Sequence, residues 1–117
     1  MINNKQKGLL GEDKASEYLS SLGFDILDRN YRTKKGEIDI IACINEIVIF
    51  IEVKLRSSFK YGYPIEAINS KKVITIKSVA QDYIQSKNLW DYPVRFDVIE
   101  VFANEDYRIN HTENAFY

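Results

Sequence analysis

Charged residues stand inside two runs of the chain that are otherwise largely apolar. The first run reads Gly36-Glu37-Ile38-Asp39-Ile40-Ile41-Ala42, and the second reads Val48-Ile49-Phe50-Ile51-Glu52-Val53-Lys54. Burying a carboxylate or an ammonium is costly unless the group is paired or binds a metal, so charges at such positions usually have a task. Asp39, Glu52 and Lys54 therefore predict a site where carboxylates hold a divalent cation beside a lysine. Phosphodiester hydrolysis is the chemistry that such a site favours.

The scarcity of nitrogen and sulfur ligands restricts which metal could bind. Cys43 is the only cysteine and His111 the only histidine. Cysteine-rich zinc sites and histidine-pair sites need more such ligands than this chain has. Oxygen ligands remain, and they favour Mg²⁺ or Mn²⁺.

Length and composition predict one domain over residues 1–117, since 117 residues that are 45% hydrophobic can bury a single core. The start of the chain lacks the apolar stretch of a signal peptide, and no apolar run approaches the ~18 residues of a membrane span. We therefore expect a cytoplasmic protein with no membrane partner. The net charge of −1 is unlike that of a general nucleic-acid coat protein.

Hydrophobic periodicity predicts the element order α-β-β-β-α-β-β. The predicted elements are a helix over residues 8–22, strands over 24–31, 37–43 and 47–55, a helix from Asn69 or Ser70 to about residue 86, and strands over 94–102 and 108–111. Residues 64–67 are expected to lead from a loop into the second helix. The third strand is apolar without alternation, which is typical of a strand covered on both faces. Glu52 and Lys54 are thus expected at the end of a central strand of an α/β fold.

The register of the hairpin between the second and third strands decides whether the acids meet. A loop of Ile44-Asn45 would make paired residue numbers sum to 89, and a loop of Asn45-Glu46 would make them sum to 91. We expect the second register, because Asn favours turns and Asp39 then faces Glu52. A salt bridge at a frayed strand end, joining Glu52 to Lys54 or Asp39, is the structural alternative.

Glu12 is a further candidate, identified from the first helix. The apolar stripe through Ala15, Tyr18 and Leu22, extended backward by three residues, places Glu12 on the face toward the sheet. Either a capping or salt-bridge role, or membership of the charged cluster, would explain an acid there.

Basic residues flank the acidic strands and could face nucleic-acid phosphates. Arg32, Lys34 and Lys35 precede the first acidic run, and Arg56 follows the second. Ordinary solvated faces are the alternative interpretation. Lys71, Lys72 and Lys77 form a later basic group. For Arg95 and Asp97, two residues apart on one strand, we expect a structural ion pair.

The chain resembles the YraN-like family, itself similar to the restriction-endonuclease-like (PD-(D/E)XK) nucleases and the Holliday-junction resolvases. The resemblance covers nearly the whole length. It is carried by Gly11-Glu12 with Ala15 and Tyr18-Leu19, Arg29-Asn30-Tyr31-Arg32, Gly36-Glu37-Ile38-Asp39-Ile40-Ile41, Phe50-Ile51-Glu52-Val53-Lys54 with Arg56, Gly62 and Pro64, Arg95-Phe96-Asp97-Val98, and His111 with Ala115-Phe116. Ile38 replaces the proline of the nuclease signature.

The resemblance implies a restriction-endonuclease-like αβββαβ core, with a mixed central sheet flanked by helices. It also implies that Asp39 and Glu52 are metal ligands, that Lys54 is the catalytic lysine, and that Glu12 matches the helix-one acid of the resolvases. The expected function is a Mg²⁺- or Mn²⁺-dependent DNA endonuclease, with branched or damaged DNA as candidate substrates and a homodimer as a candidate assembly. The alternative is a non-catalytic nucleic-acid-binding or adaptor module that retains the fold.

Overall fold

The computed structural model describes residues 4–56 and 69–116 and has an α/β architecture. The elements are α1 (Asn4–Ser21), β1 (Asp25–Thr33), β2 (Gly36–Ile44), β3 (Ile47–Arg56), α2 (Ser70–Lys87), β4 (Val94–Phe102) and β5 (Arg108–Phe116), with a short 3-10 turn at Ala103–Glu105. The predicted order and the predicted α/β class are confirmed. No helix among the described residues has the length and apolar character needed to cross a bilayer.

The five strands form one mixed sheet in the order β1-β2-β3-β4-β5. All neighbours are antiparallel except β3 and β4, which are parallel. A parallel pair needs a long crossover, and α2 lies within the one between β3 and β4. The predicted central position of β3 is confirmed.

The two helices pack on opposite faces of the sheet. On one face, Ala15 and Leu19 of α1 cover a cluster that includes Ile51 of β3. On the other, Ile76 and Val79 of α2 belong to a cluster with residues of β2 and β3, among them Phe50. The alternation of Phe50 and Ile51 between the faces explains why β3 reads as an uninterrupted apolar run.

The β2–β3 hairpin has the predicted register. Ile44 pairs with Ile47 and Ile40 with Ile51, so the residue numbers of each pair sum to 91. The loop is Asn45-Glu46, and both residues have positive φ, 50° and 64°. A two-residue loop of this kind matches the twist of the strands it joins. Continued by one residue, the register sets Asp39 opposite Glu52.

Several boundaries differ from the sequence-based expectation. Helix α1 begins at Asn4 rather than at residue 8, and β5 extends to Phe116 rather than ending at His111. The extension follows a shift of pairing between β4 and β5, in which Asn114 has a φ of 51°. Asn69 is the N-cap of α2. The predicted passage over residues 64–67, like Gly62, lies outside the described residues.

Candidate metal and phosphodiester site

Asp39 occupies the point where β2 separates from β3. The described pairing between these strands ends at Ile40 and Ile51, and the next donor, the Val53 amide, binds Asp39 Oδ2 at 2.8 Å. The carboxylate thus substitutes for a backbone acceptor in the ladder. This hydrogen bond fixes Asp39 beside the Glu-x-Lys segment of β3.

The alternation of side chains is interrupted around Asp39. Ile38 and Ile41 both pack in the cluster beneath α2, whereas Ile40 packs in the cluster beneath α1. On β1, Arg29 pairs with Ile40 and Tyr31 with Ile38, so Asn30 lies opposite Asp39. Asn30 has a φ of 54°. Because of this interruption, Asp39 lies at the boundary between the two faces and can be approached from both.

Glu12 approaches Asp39 from α1. The backbone of α1 comes close to β3 at Gly11, where an added Cβ would contact Leu55 at 3.5 Å. The Glu12 side chain is 12% exposed, and Arg29 Nη2 lies 3.7 Å from its Oε1. Oε1 is buried and has no hydrogen-bond donor among the described residues. Burial raises the pKa of Glu12, and the negative charge of Asp39 raises it further.

Three acids converge at this point. One carboxylate oxygen from each of Glu12, Glu37 and Asp39 lies within 4.8 Å of the other two. Mg²⁺ holds its ligands at about 2.1 Å in an octahedron, so adjacent ligand oxygens are about 3.0 Å apart and opposite ones about 4.2 Å apart. A cation bound there would have to draw the three oxygens closer together. Together with the Glu12 oxygen that lacks a hydrogen-bond donor among the described residues, this convergence of three carboxylates is compatible with a hard divalent cation.

Glu52 is a fourth acid, which lies outside this group of three but is affected by the charge of Asp39. It is 6% exposed. Burial and then the charge of Asp39 raise the pKa of Glu52 to about 7. The pKa of Asp39 is also raised, by burial above all and by Glu37, although the Val53 amide opposes this. Each carboxylate therefore makes the other harder to ionise, a conflict that a bound cation resolves.

Two lysines contact the same oxygen of Glu52. Lys54 Nζ lies 3.7 Å from Glu52 Oε1, and Lys72 Nζ lies 3.6 Å from it. Lys54 was predicted from its spacing on β3. Lys72 was predicted only as part of a basic group. The helix pattern did indicate its direction, because Lys72 is four residues before the buried Ile76 and therefore lies on the same face of α2. The same reasoning had located Glu12 on α1.

Glu37 is the second residue that sequence reasoning left out of the site. Strand alternation indicates the same face as Asp39 for this residue, two positions earlier on β2, but the sequence-based ligand set did not include it. Arg32, directly opposite on β1, donates from Nε and Nη2 to Glu37 Oε2. The structure thus groups Asp39 with Glu12 and Glu37. The charge of Asp39 also raises the pKa of Glu52.

Three of the four basic residues that were predicted to contact nucleic acid have partners within the fold. Besides the bond between Arg32 and Glu37, Lys35 Nζ lies 3.0 Å from Asp82 of α2, and Arg56 Nε lies 3.6 Å from the buried Glu100. Lys34 is exposed in the turn between β1 and β2. Their contact with phosphates remains a prediction.

Arg95 and Asp97 form the structural ion pair that was predicted. Arg95 donates to both oxygens of Asp97, at 2.9 and 2.8 Å. His111 Nε2 lies 2.7 Å from Asp97 Oδ2, and His111 Nδ1 lies 2.9 Å from the Tyr18 hydroxyl. The sequence did not predict that His111 and Tyr18 would join this pair, which links β4 to β5 and α1.

Comparison with known proteins gives a consistent result across most of the chain. The model of the uncharacterised protein family UPF0102 matches residues 11–101. A UPF0102 protein of Alkaliphilus oremlandii is 52% identical over 97% of this chain and 99% of its own length. A UPF0102 protein of Clostridioides difficile is 54% identical over 98% of this chain and all of its own length, and one of Caldanaerobacter subterraneus is 43% identical over 98% of each.

Proposed function

This chain belongs to the protein family UPF0102, as its YraN-like resemblance indicated, and we propose that it is a divalent-metal-dependent DNA endonuclease. The observation that carries the proposal is the convergence of Glu12, Glu37 and Asp39 beside a Glu-x-Lys segment. Mg²⁺ or Mn²⁺ is the proposed cofactor, and DNA, including branched or damaged DNA, is the proposed substrate. A cytoplasmic location and a homodimer, which would give a symmetric substrate two sites, belong to the same proposal.

The chain's own groups have distinct roles in this proposal. Asp39, held by the Val53 amide, and Glu52 would hold the cation, with Glu12 and Glu37 completing the oxygen set. When bound, the cation would supply an acidified water and offset charge that develops on the phosphorus centre. Lys54 would orient the attacking water or neutralise the phosphoryl oxygens in the transition state.

The decisive experiment measures cleavage of linear, single-stranded and four-way-junction DNA by the purified protein with Mg²⁺ and with Mn²⁺. We expect metal-dependent cleavage of at least one substrate, and Lys54→Met should lower its rate by about 10²- to 10³-fold, since the charge acts on the transition state. Lys87→Met is the matched control, because Lys87 is an exposed lysine at the far end of α2.

Two results would contradict the proposal. One is the absence of cleavage for all three substrates with both metals. The other is salt-dependent DNA retention that survives Asp39→Asn and Glu52→Gln without any cleavage by the wild type, which would favour the adaptor module. An unchanged thermal melting curve for Lys54→Met shows that the variant is folded, so that lost cleavage can be assigned to chemistry.

A further inference from the structure

We propose that Lys72 is a movable counter-ion, which competes with the divalent cation for Glu52 and moves to a phosphate of the DNA when the cation binds. This inference rests on the proposed nuclease function. It assigns to α2 a residue that acts on substrate, in addition to the lysine that the Glu-x-Lys spacing supplies on β3.

The contacts of Glu52 are the first support. Lys54 and Lys72 approach the same oxygen, Oε1, at 3.7 and 3.6 Å. Strong charge-assisted hydrogen bonds between an ammonium and a carboxylate are shorter, at about 2.7–2.9 Å. Both ammoniums therefore attract Glu52 through space and offset part of its charge, without a short hydrogen bond to it. Their charges also lower the pKa of Asp39 against the larger effect of burial, so Lys72 acts on both predicted ligands.

The anchoring of Lys72 is the second support. Its backbone amide donates to Asn69 Oδ1 at 2.8 Å, which fixes the first turn of α2. One turn further on, Ile76 is buried in the core. The Lys72 side chain is nevertheless 40% exposed and has a flexible four-carbon stem. The Cα is thus held in place while the ammonium can change partners.

Electrostatics gives the direction of the change. A cation shared by Asp39 and Glu52 would repel the Lys72 ammonium and would also take over the neutralisation of Glu52. The Lys72 ammonium is then attracted more strongly to a DNA phosphate than to Glu52. Lys54, which leaves the strand two residues beyond Glu52 on the same face, would remain beside the reacting group.

The test compares Lys72→Met with Lys87→Met, which removes the same charge from the other end of the same helix. Calorimetric titration with Mn²⁺, without DNA, should show about five- to tenfold tighter binding to Lys72→Met, because a competing charge a few ångströms away has been removed. Lys87→Met should bind Mn²⁺ as the wild type does. Lys72→Arg retains the charge, so it should not reproduce the gain.

A second measurement follows the fate of the released ammonium. Binding of a four-way DNA junction, measured in Ca²⁺ as a function of salt, should lose about one unit of salt slope in Lys72→Met. The slope of Lys87→Met should match that of the wild type.

These results separate the inference from the proposed function. Unchanged or weaker Mn²⁺ affinity in Lys72→Met would overturn the competition for Glu52, whether or not the wild type cleaves DNA. Tighter Mn²⁺ binding with an unchanged salt slope would overturn the transfer to phosphate. A wild type that binds Mn²⁺ but cleaves nothing would remove the nuclease proposal, while the Mn²⁺ comparison would still decide the role of Lys72 at Glu52. If Lys72→Met unfolds, the titration is made with Lys72→Gln.

Discussion

Asp97 and Glu52 are two buried carboxylates on adjacent strands of one sheet, and their surroundings differ in a way that separates structure from function. Asp97 receives hydrogen bonds from Arg95, from His111 and from the backbone amide of Asn114. Burial would raise the pKa of Asp97, but these bonds outweigh it and hold the pKa below its usual range. Glu52 instead faces another acid, and its pKa is raised to about 7.

Burial alone therefore does not identify a functional acid. The Asp97 carboxylate is matched by donors from the fold itself, so it has little capacity left for a ligand. Glu52 and Asp39 are under-neutralised, and neighbouring Glu12 has a buried oxygen without a donor among the described residues. We interpret the group of Asp97, Arg95, His111 and Tyr18, called the Asp97 centre below, as a link between elements. The acids around Asp39 have charge that the fold balances less completely, which is what the proposed metal site requires.

The largest expected stability effect lies at the Asp97 centre. Asp97→Asn would leave the Arg95 guanidinium without its main counter-ion in a largely buried position, and removing one partner of a buried pair costs about 3–5 kcal/mol. Urea unfolding at pH 7 measures this loss. The control is Asp13→Asn, because Asp13 accepts a bond of 2.8 Å from Arg29 at the surface, where such pairs contribute about 1 kcal/mol or less. Equal losses in the two variants would remove the distinction between the centres.

A smaller effect of opposite sign is expected at Glu52 above neutral pH. The folded pKa of about 7 exceeds the ordinary value of 4.5, so between these values the native state binds more protons than the unfolded state. The free energy of unfolding then falls as pH rises through this interval, by up to about 3 kcal/mol. Glu52→Gln removes the titrating group, so without divalent metal the variant should be more stable than the wild type at pH 8.

The control for this pH dependence is Glu17→Gln, which changes an exposed acid on α1. Its unfolding free energy should follow that of the wild type from pH 4 to pH 8. Near pH 4 the Glu52→Gln variant should also converge with the wild type, because Glu52 is then protonated. A Glu52→Gln protein that is less stable than the wild type at pH 8 would show that Glu52 is a structural partner like Asp97.

The smallest expected effect concerns the outer part of the Asp97 centre. Tyr18→Phe removes the hydroxyl that lies 2.9 Å from His111 Nδ1, and a single hydrogen bond contributes about 1 kcal/mol net. Chemical denaturation would compare this variant with Tyr92→Phe, which changes an exposed tyrosine and should have almost no effect. A loss as large as that of Asp97→Asn would mean that the hydroxyl, rather than Arg95, holds the centre together.

Local sequence patterns were sufficient for the framework of the site. The turn preference of Asn45 set the hairpin register, and the apolar run of β3 set its central position. Together they placed Asp39 opposite Glu52 and Lys54 beyond it. The apolar stripe of α1 predicted that Glu12 faces the sheet, and in the structure its carboxylate lies near that of Asp39. These predictions succeeded because strand alternation and helix periodicity follow directly from backbone geometry.

What the sequence by itself determined was thus the element order, the register and the acids and lysine carried by one hairpin. Only the tertiary structure decided that Glu37 joins Glu12 and Asp39, that Lys72 of α2 reaches Glu52, and that His111 and Tyr18 complete the Asp97 centre. Those contacts join elements that are distant along the chain. Their distances depend on how the helices pack on the sheet and on the interruption of alternation at Asp39, which no local pattern specifies.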